Sequence, residues 1–456
     1  MTIERKVGMG IAGQPSGGAT DVAEVFSTYL YTGNQYNAAA VDVNNGIDLT
    51  SSGDGGLVWI KNRSAAIGHV LTDTVRGANS QLVSNTTAAA GNYGVGLTFD
   101  TNGFHFTSVD SAFNYSNDYV SWTFRKKEKF FDIVTYTGNS GTSQTIAHGL
   151  NGPVGMILVK SYAGASASQN WMVFHAGNGA TKYQVLNDTT AAATATSVWN
   201  DTAPTDTHFT VGSDSSVNNS NKTYIAYLFA DNSSEDADDQ MIKCGTYNGT
   251  GANQNIDLGW EAQWVLVKAT IGTNSWAMFD TMRGMPTEGM DGSQRLKAES
   301  NVAETELGPA GGISAHSRGF TAKGGTGTYN QSGNSYIYMA IRAPMMKKPE
   351  AATDVFAAVT RNSSVGGVNY YTGFPTDLSI YNALTNTTGY AHARLTANNR
   401  LTMATTDAEI SATAGDFGSN VGYQLGTSST NTNAFTLNWK RAKGYMDVVC
   451  YSGTGS

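Results

Sequence analysis

At 456 residues the chain is several times the length of an ordinary domain, so two to four domains are expected. Only 14% of the residues are charged whereas 52 are glycine, a balance typical of short strands and tight turns. The net charge of −8 includes no basic stripe, which argues against nucleic acid as a partner. No window approaches the apolar length that spans a bilayer, so membrane insertion is not expected.

Residues 1–23 match no other part of the chain. Their glycines and Pro15 interrupt any regular element, and they contain no apolar segment of the signal-peptide type. Such a stretch cannot bury enough surface to offset its ordering entropy by itself. We therefore expect an extended N-terminal arm that orders against a partner and attaches the protein to it.

Three sequence features recur after this arm at intervals of about 105 residues, which indicates tandem repeats. The first is an apolar run ending in lysine, seen as LVWIK, MILVK and WVLVK. The second is a tyrosine in the closing strand, and the third is a phenylalanine in the strand before it. The recurring residues are Lys61, Lys160 and Lys268; Tyr119, Tyr224 and Tyr336; and Phe104, Phe209 and Phe320.

Shorter matches fall in the same frame. TTAAA occurs at 86–90 and 189–193, and DTVRG at 73–77 returns as DTMRG at 280–284. A fourth, more divergent unit follows, and the last residues resemble the opening strand of the second unit. These matches predict repeats at 24–129, 130–239, 240–350 and 351–444, with the first strand of a further repeat at 445–456.

Within a repeat, short β-rich runs alternate with Gly, Asn, Pro and Ser, and no clean helical periodicity occurs. Seven or eight strands in such a length predict an all-β protein, a tandem array of β-sandwiches. Jelly-roll topology is the first interpretation and immunoglobulin-like topology the second, and the pattern does not separate them. We expect each repeat to be stable nearly independently of the others.

The sequence contains no arrangement typical of catalysis. The seven histidines are scattered, no metal-ligand spacing occurs, and no phosphate-binding loop or nucleophile motif is present. Paired carboxylates could cleave glycans, but no repeat concentrates them. We therefore expect no enzyme activity, no metal and no cofactor. The carboxylates considered are Asp73, Asp132, Asp201, Asp206 and Asp280.

Three residues are candidates for glycan contact. Arg76 and Arg283 could bind a glycan through the guanidinium, although an ion pair that fixes a turn before glycine is the favoured alternative. Trp199 could be an exposed aromatic platform, against the alternative of packing on a neighbouring repeat. The two cysteines, Cys244 and Cys450, are expected to be reduced and unpaired because they lie in different repeats.

The ordered motifs resemble one family. FSTYLYTGN with GLVWIKNR, then DTVRG, SWTFRK, FFDIVTYTGN, YIAYLFA and WVLVK with FDTMRG, resemble the multi-repeat, tail-fibre-like virion structural proteins of marine bacteriophages. The resemblance covers residues 24–456 and is weakest in the fourth unit. It implies a long virion protein whose repeats continue beyond four, and it supplies no catalytic residues.

The expected function is therefore that of a bacteriophage tail fibre or appendage, assembled in the host cytoplasm and located on the virion. The arm would bind other tail proteins, the chain would form a homo-oligomer with a trimer favoured, and the sandwiches would meet the host surface, including its glycans. The alternative is a virion-associated protein that binds or cleaves glycans. A bacterial adhesin is a third hypothesis, disfavoured because no export signal is visible.

Overall fold

The protein is described here by a computed structural model. The described residues are 20, 22–34, 41–92, 96–235, 239–286, 293–308, 311–316, 318–325, 327–343, 351–361, 370–374, 376–383, 389–396, 399–411, 415–416, 422–425, 434–442 and 445–448. They form antiparallel strands joined by turns, with one short α-helix, which confirms the predicted all-β sandwich class. The predicted arm lies outside these residues except for Thr20, Val22 and Ala23. Of the predicted terminal strand only 445–448 is described, and there Met446 bridges to Ala442.

The first repeat follows a 3-10 turn at Val22–Glu24 and contains another at Ser51–Gly53. Its strands are β1 (Phe26–Thr32), β2 (Val41–Asn44), β3 (Gly56–Asn62), β4 (Val70–Asp73), β5 (Leu82–Val83), β6 (Leu97–Asp100), β7 (Gly103–Phe106) and β8 (Asp118–Arg125). The larger sheet has the order β1-β8-β3-β4-β5, and the smaller sheet has the order β2-β7-β6.

The second repeat contains a 3-10 turn at Ala176–Asn178 and the α-helix α1 at Thr196–Trp199. Its strands are β9 (Phe131–Thr137), β10 (Gln144–Ala147), β11 (Val154–Gly164), β12 (Met172–His175), β13 (Lys182–Val185), β14 (Ala193–Thr194), β15 (His208–Val211) and β16 (Lys222–Ala230). The larger sheet runs β9-β16-β11-β12-β13-β14, and the smaller sheet is the pair β10-β15.

The third repeat contains a 3-10 turn at Thr281–Arg283. Its strands are β17 (Ile242–Asn248), β18 (Gln254–Asp257), β19 (Ala262–Ala269), β20 (Ala277–Asp280), β21 (Gln294–Lys297), β22 (Thr305–Glu306), β23 (Ile313–His316), β24 (Gly319–Ala322) and β25 (Ser335–Arg342). The larger sheet runs β17-β25-β19-β20-β21-β22, and the smaller sheet runs β18-β24-β23.

The fourth repeat has 3-10 turns at Ala352–Asp354 and Arg394–Thr396. Its strands are β26 (Phe356–Thr360), β27 (Tyr370–Tyr371), β28 (Leu378–Ala383), β29 (Tyr390–Ala393), β30 (Asn399–Thr402), β31 (Ile410–Ser411), β32 (Gly415–Asp416), β33 (Gly422–Leu425) and β34 (Ala434–Trp439). The larger sheet runs β26-β34-β28-β29-β30-β31, and the smaller runs β27-β33-β32, so all four repeats share one plan.

This shared plan distinguishes between the two topologies considered from the sequence. In every repeat the first strand lies in the larger sheet and the second strand in the smaller one. In an immunoglobulin sandwich the first two strands belong to the same sheet. The strand order is therefore not immunoglobulin-like.

The inside of each sandwich is built around the aromatic residues that revealed the repeats. Phe104, Phe209 and Phe320 are all buried, and each lies opposite an aliphatic residue of the second strand. The prediction that they occupy one core position is confirmed. Beside them a tyrosine of the first strand stacks on a tyrosine of the last strand in each of the first three repeats. The stacked pairs are Tyr31–Tyr119, Tyr136–Tyr224 and Tyr247–Tyr336, with ring centroids 5.1, 5.1 and 4.9 Å apart.

The other face of each larger sheet is also apolar in the first three repeats, and the three faces share one hydrophobic core. At its centre the ring of Phe124 in the first repeat packs against the rings of Phe229 in the second and Trp264 in the third. The ring centroids are 5.4 and 6.3 Å apart. Because these faces bury one another, the three sandwiches form one packed body. The expectation that the repeats would be nearly independent is wrong for the first three.

Candidate functional site

Most of the polar residues singled out in the sequence meet at the junctions between the first three repeats. At each junction, the segment that follows the fifth strand of one repeat lies against the third strand of the next. The contacts run from repeat one to two, from two to three, and from three back to one, so the three repeats close into a ring. The equivalent backbone hydrogen bonds are Ala90 N to Tyr162 O (3.0 Å), Ala192 N to Thr270 O (3.0 Å) and Glu304 N to Arg63 O (2.8 Å).

A second set of equivalent contacts starts at the end of each fourth strand. There an acidic or imidazole side chain reaches the last strand of the next repeat, and its partner differs at each junction. The contacts are Tyr227 Oη to Asp73 Oδ2 (2.7 Å), His175 Nε2 with Tyr338 O (3.0 Å) and Trp122 Nε1 to Asp280 Oδ2 (3.0 Å). Burial lowers the pKa of His175 to about 4, so this imidazole is neutral at ordinary pH.

Asp73 and Arg76 form a buried ion pair at the first of these junctions. The guanidinium lies 2.6 Å from the carboxylate, and both side chains are fully buried. Asp73 also accepts the backbone N–H of Arg76 at 2.8 Å, while Gly77 continues the turn with a φ of 86°. Burial alone would lower the pKa of Arg76, but Tyr227 and Asp73 outweigh it and raise this pKa.

Asp280 and Arg283 form the equivalent pair at the junction between the third and first repeats. Their side chains are again fully buried, with 2.6 Å between guanidinium and carboxylate. Arg283 also lies 2.9 Å from Glu304 and over the ring of Trp122, whose N–H donates to Asp280. Each ion pair thus fixes a turn within its own repeat and joins that repeat to the next.

These positions argue against the glycan-contact hypothesis for the three candidate residues. Arg76 and Arg283 have no exposed guanidinium surface with which to bind a ligand. Trp199 lies on α1 with only 1% of its surface exposed, and it packs edge-on against Phe174 at 5.9 Å. The structural ion pair considered from the sequence describes what the two arginines do, whereas Trp199 packs on Phe174 of its own repeat and not, as the sequence alternative had it, on a neighbouring repeat.

The lysines of the recurring apolar runs are fully buried beside the junctions. Lys160 donates to Gln169 O and, across the junction, to Thr87 O at 2.8 Å. Lys268 donates in the same way to Thr189 O at 2.7 Å. Thr87 and Thr189 belong to the two TTAAA segments, so both recurring motifs are parts of one contact.

Burial changes the acidity of these lysines. It lowers the pKa of Lys160 to about 7 and those of Lys61 and Lys268 to about 8. Lys61 differs from the other two because it donates to carbonyls of its own repeat, at Asn62 and Ala65. The ammonium groups are satisfied by backbone carbonyls, and the structure assigns them a packing role.

The aromatic side chain directly before each fourth strand completes the junctions. Trp171 donates its N–H to Val83 O at 3.0 Å, and Trp276 donates to Val185 O at 2.9 Å. His69 takes the equivalent place in the first repeat and lies beside the backbone of Lys297. Each contact joins consecutive repeats in the ring.

The remaining candidates lie apart from one another. Asp132 pairs with Lys126 at 3.3 Å, whereas Asp201 and Asp206 are exposed. Within the described ranges, no group of three or more His, Cys, Asp or Glu residues could hold a metal ion. None of the helices described is long and apolar enough to cross a membrane. Cys244 is free and buried, which raises the pKa of its thiol, while Cys450 lies outside the described residues.

Fold and junctions together define a single-chain ring of three β-sandwiches followed by a fourth sandwich of the same plan. The chain belongs to the family described as Domain of unknown function (DUF7483), whose sequence model matches residues 21–344. That match begins just before β1 and ends just after β25, so it spans the ring and leaves out the fourth repeat. Neither the curated proteins nor the solved structures contain a match to the chain.

The sequence predicted the residues of the junctions but not the junctions themselves. The signal in the sequence was that two motifs, the lysine run and TTAAA, recurred with nearly the same spacing although neither alternates apolar and polar residues as a strand with one face in solvent does. A buried lysine needs carbonyl or carboxylate partners. The TTAAA segment of the preceding repeat supplies such partners.

Proposed function

We propose that this protein is a structural component of a bacteriophage virion, a tail fibre or appendage. Residues 1–23 would attach it to other tail proteins, and the sandwiches would face the host cell surface and its glycans. The family resemblance of the ordered motifs suggests this role. The closed ring supports it, because three sandwiches that share one core suit a rigid module that must withstand mechanical load.

The chemistry of the junctions is the observation that carries the proposal. The acidic, basic and imidazole groups there are engaged in hydrogen bonds and ion pairs that hold the repeats together, as Asp73, His175 and Asp280 show. Groups saturated in this way are poor catalysts, because a catalytic acid or base must reach a substrate. We therefore infer a structural role in place of an enzymatic one.

Removal of the arm tests the attachment step. A chain lacking residues 1–21, which keeps the buried Val22 of the ring core, should fold with its ring intact, as judged by an unchanged melting profile, yet be missing from assembled particles. The matched control is a chain in which the arm keeps its length but residues 1–21 are scrambled, and it should fail equally. Incorporation of the shortened chain at full occupancy would show that attachment uses another surface.

The alternative role, a virion-associated protein that binds or cleaves glycans, predicts a different result. Host envelope incubated with the intact chain would release reducing sugar if the protein cleaves glycans, and would retain the protein if it binds them. The structural proposal predicts no sugar release. Release by the intact chain would replace it with the enzymatic alternative.

A further inference from the structure

The fourth repeat has a sheet face whose equivalents are buried in the other three repeats. Strand pairing identifies the positions: Leu57 lies opposite Phe124 in the first repeat, and Leu378 lies opposite Trp439 in the fourth. On the same face Phe26 pairs with Phe124, and Phe356 pairs with Trp439. We call the fourth-repeat surface the open face. Its residues are Phe356, Leu378, Ile380, Leu401, Leu437 and Trp439.

Burial separates the open face from its equivalents. Leu82 is fully buried in the ring, whereas Leu401, which takes its place beside the fourth strand, is 51% exposed. Phe124 is fully buried at the centre of the ring core, whereas Trp439 remains half-buried. None of these six residues is charged, and their half-buried or exposed side chains give the described part of the face an apolar surface of the kind that marks an interaction site.

The fourth repeat also carries both halves of a ring junction. One half is the third strand, here β28, and the other is the segment that follows the fifth strand. Thr405 and Thr406 follow Leu401 at the same spacing at which Thr86 and Thr87 follow Leu82. The repeat can therefore act as donor to one neighbour and acceptor to another, which is what a closed ring of identical units requires.

The fourth repeat has an asparagine where the first three repeats have the buried lysine, and a ring of identical units tolerates this residue. Lys61 lies opposite Val120 in the first repeat, and Asn382 lies opposite Phe435 at the equivalent place in the fourth. An asparagine amide can donate to a backbone carbonyl as the lysines do, without the energetic penalty of a buried charge.

We propose that the open face is a trimerisation surface, on which the fourth repeats of three copies of this chain close a second ring. The ring within one chain is the precedent for this second ring, because there each larger-sheet face is covered by the faces of two other repeats with the same strand order. The inference does not rest on the proposed function, because it concerns how the chain assembles with itself. A failure of one leaves the other standing.

Light scattering coupled to size-exclusion chromatography of the intact chain tests this proposal. The expected mass is three times the 48.2 kDa of one chain. Replacing Leu401 with aspartate should give the mass of a single chain, because three charges would be buried in the apolar ring. The gentler Leu401→Asn should raise the midpoint concentration for dissociation by about tenfold or more.

The matched control is Ile271→Asp, which places the same charge on an aliphatic residue of the third repeat that is 45% exposed and outside the open face. This variant should remain a trimer, and both aspartate variants should keep the ring's melting transition. A monomer or a dimer from the unaltered chain overturns the proposal. A trimer that persists in Leu401→Asp also overturns it, because assembly would then use another surface.

Discussion

The ring at 22–343 and the fourth repeat at 351–442 have one strand order but differ in what covers the larger sheet. In the ring, each such face is buried by two others, and the side chains there are large and aromatic. In the fourth repeat the face keeps its apolar residues but leaves them partly in solvent. In the first and third repeats the sandwich core is a cluster separate from the ring core, so each of these two cores has its own requirement for apolar residues.

Breaking a buried ion pair should give the largest difference between the two regions. Arg283→Met leaves the carboxylate of Asp280 buried without its cation and should cost about 3–5 kcal/mol of unfolding free energy. In the fourth repeat Arg394→Met removes a pair with Asp377 that is longer, at 3.2 Å, and partly exposed, so the loss should be smaller. Urea denaturation followed by tryptophan fluorescence measures both.

Arg318→Met is the control for this pair of variants, because its ion pair with Asp257 lies on the surface. Its effect should stay within about 1 kcal/mol. If Arg283→Met and Arg318→Met lost the same free energy of unfolding, the ion pair at the ring junction would be as accessible to water as the surface pair. The distinction between the two regions would then fail.

Two leucines at equivalent positions sharpen the comparison further. Leu57→Ala removes a fully buried side chain from the ring core and should cost about 3 kcal/mol. Leu378→Ala, in the fourth repeat, removes a half-buried side chain and should cost less than about 1 kcal/mol when the chain is dilute enough to be monomeric. Calorimetry distinguishes the transitions. A loss at Leu378 as large as that at Leu57 would show that the open face is already covered within one chain.

A further expected difference between the two regions concerns pH. An unfolded lysine titrates near pH 10.4, whereas Lys160 in the folded ring has a pKa of about 7. Between these values the unfolded chain binds more protons, so the contribution of Lys160 to stability rises with pH and its penalty is fully present below pH 7. Lys160→Met should flatten this rise, whereas Asn382→Met should not change it. If the free energy of unfolding changed with pH in parallel for Lys160→Met and the unaltered chain, the lowered pKa of Lys160 would be contradicted.

The fold inside each repeat followed from local sequence patterns. Phe104 and Tyr119 mark a core position and a closing strand because strand alternation forces such residues inward. The ring did not follow, since Trp122 and Phe124 alternate in the same way whether their face meets a second sheet of the same sandwich or a neighbouring repeat. An apolar residue on both faces of a strand reports double burial without identifying the second partner.

The candidate site shows the same limit. DTVRG and DTMRG predicted an ion pair before a glycine, and the structure has it in both places. Their partners across the junction, Tyr227 and Trp122, lie more than a hundred residues away along the chain. No spacing rule connects them, because a contact of that sequence separation depends on how whole repeats dock.

Closure of the ring has a consequence for the timing of synthesis. The first sandwich is complete once Arg125 has left the ribosome, but the hydrogen bond that joins it to the third repeat needs Glu304. About 180 further residues take about 10–40 s to synthesise at ordinary elongation rates of ~5–20 residues per second. During that interval the apolar face of the nascent first sandwich is not yet covered by the third repeat. Another nascent chain on the same messenger could offer the same complementary segment, so elongation rate sets the competition between closure within one chain and exchange between chains.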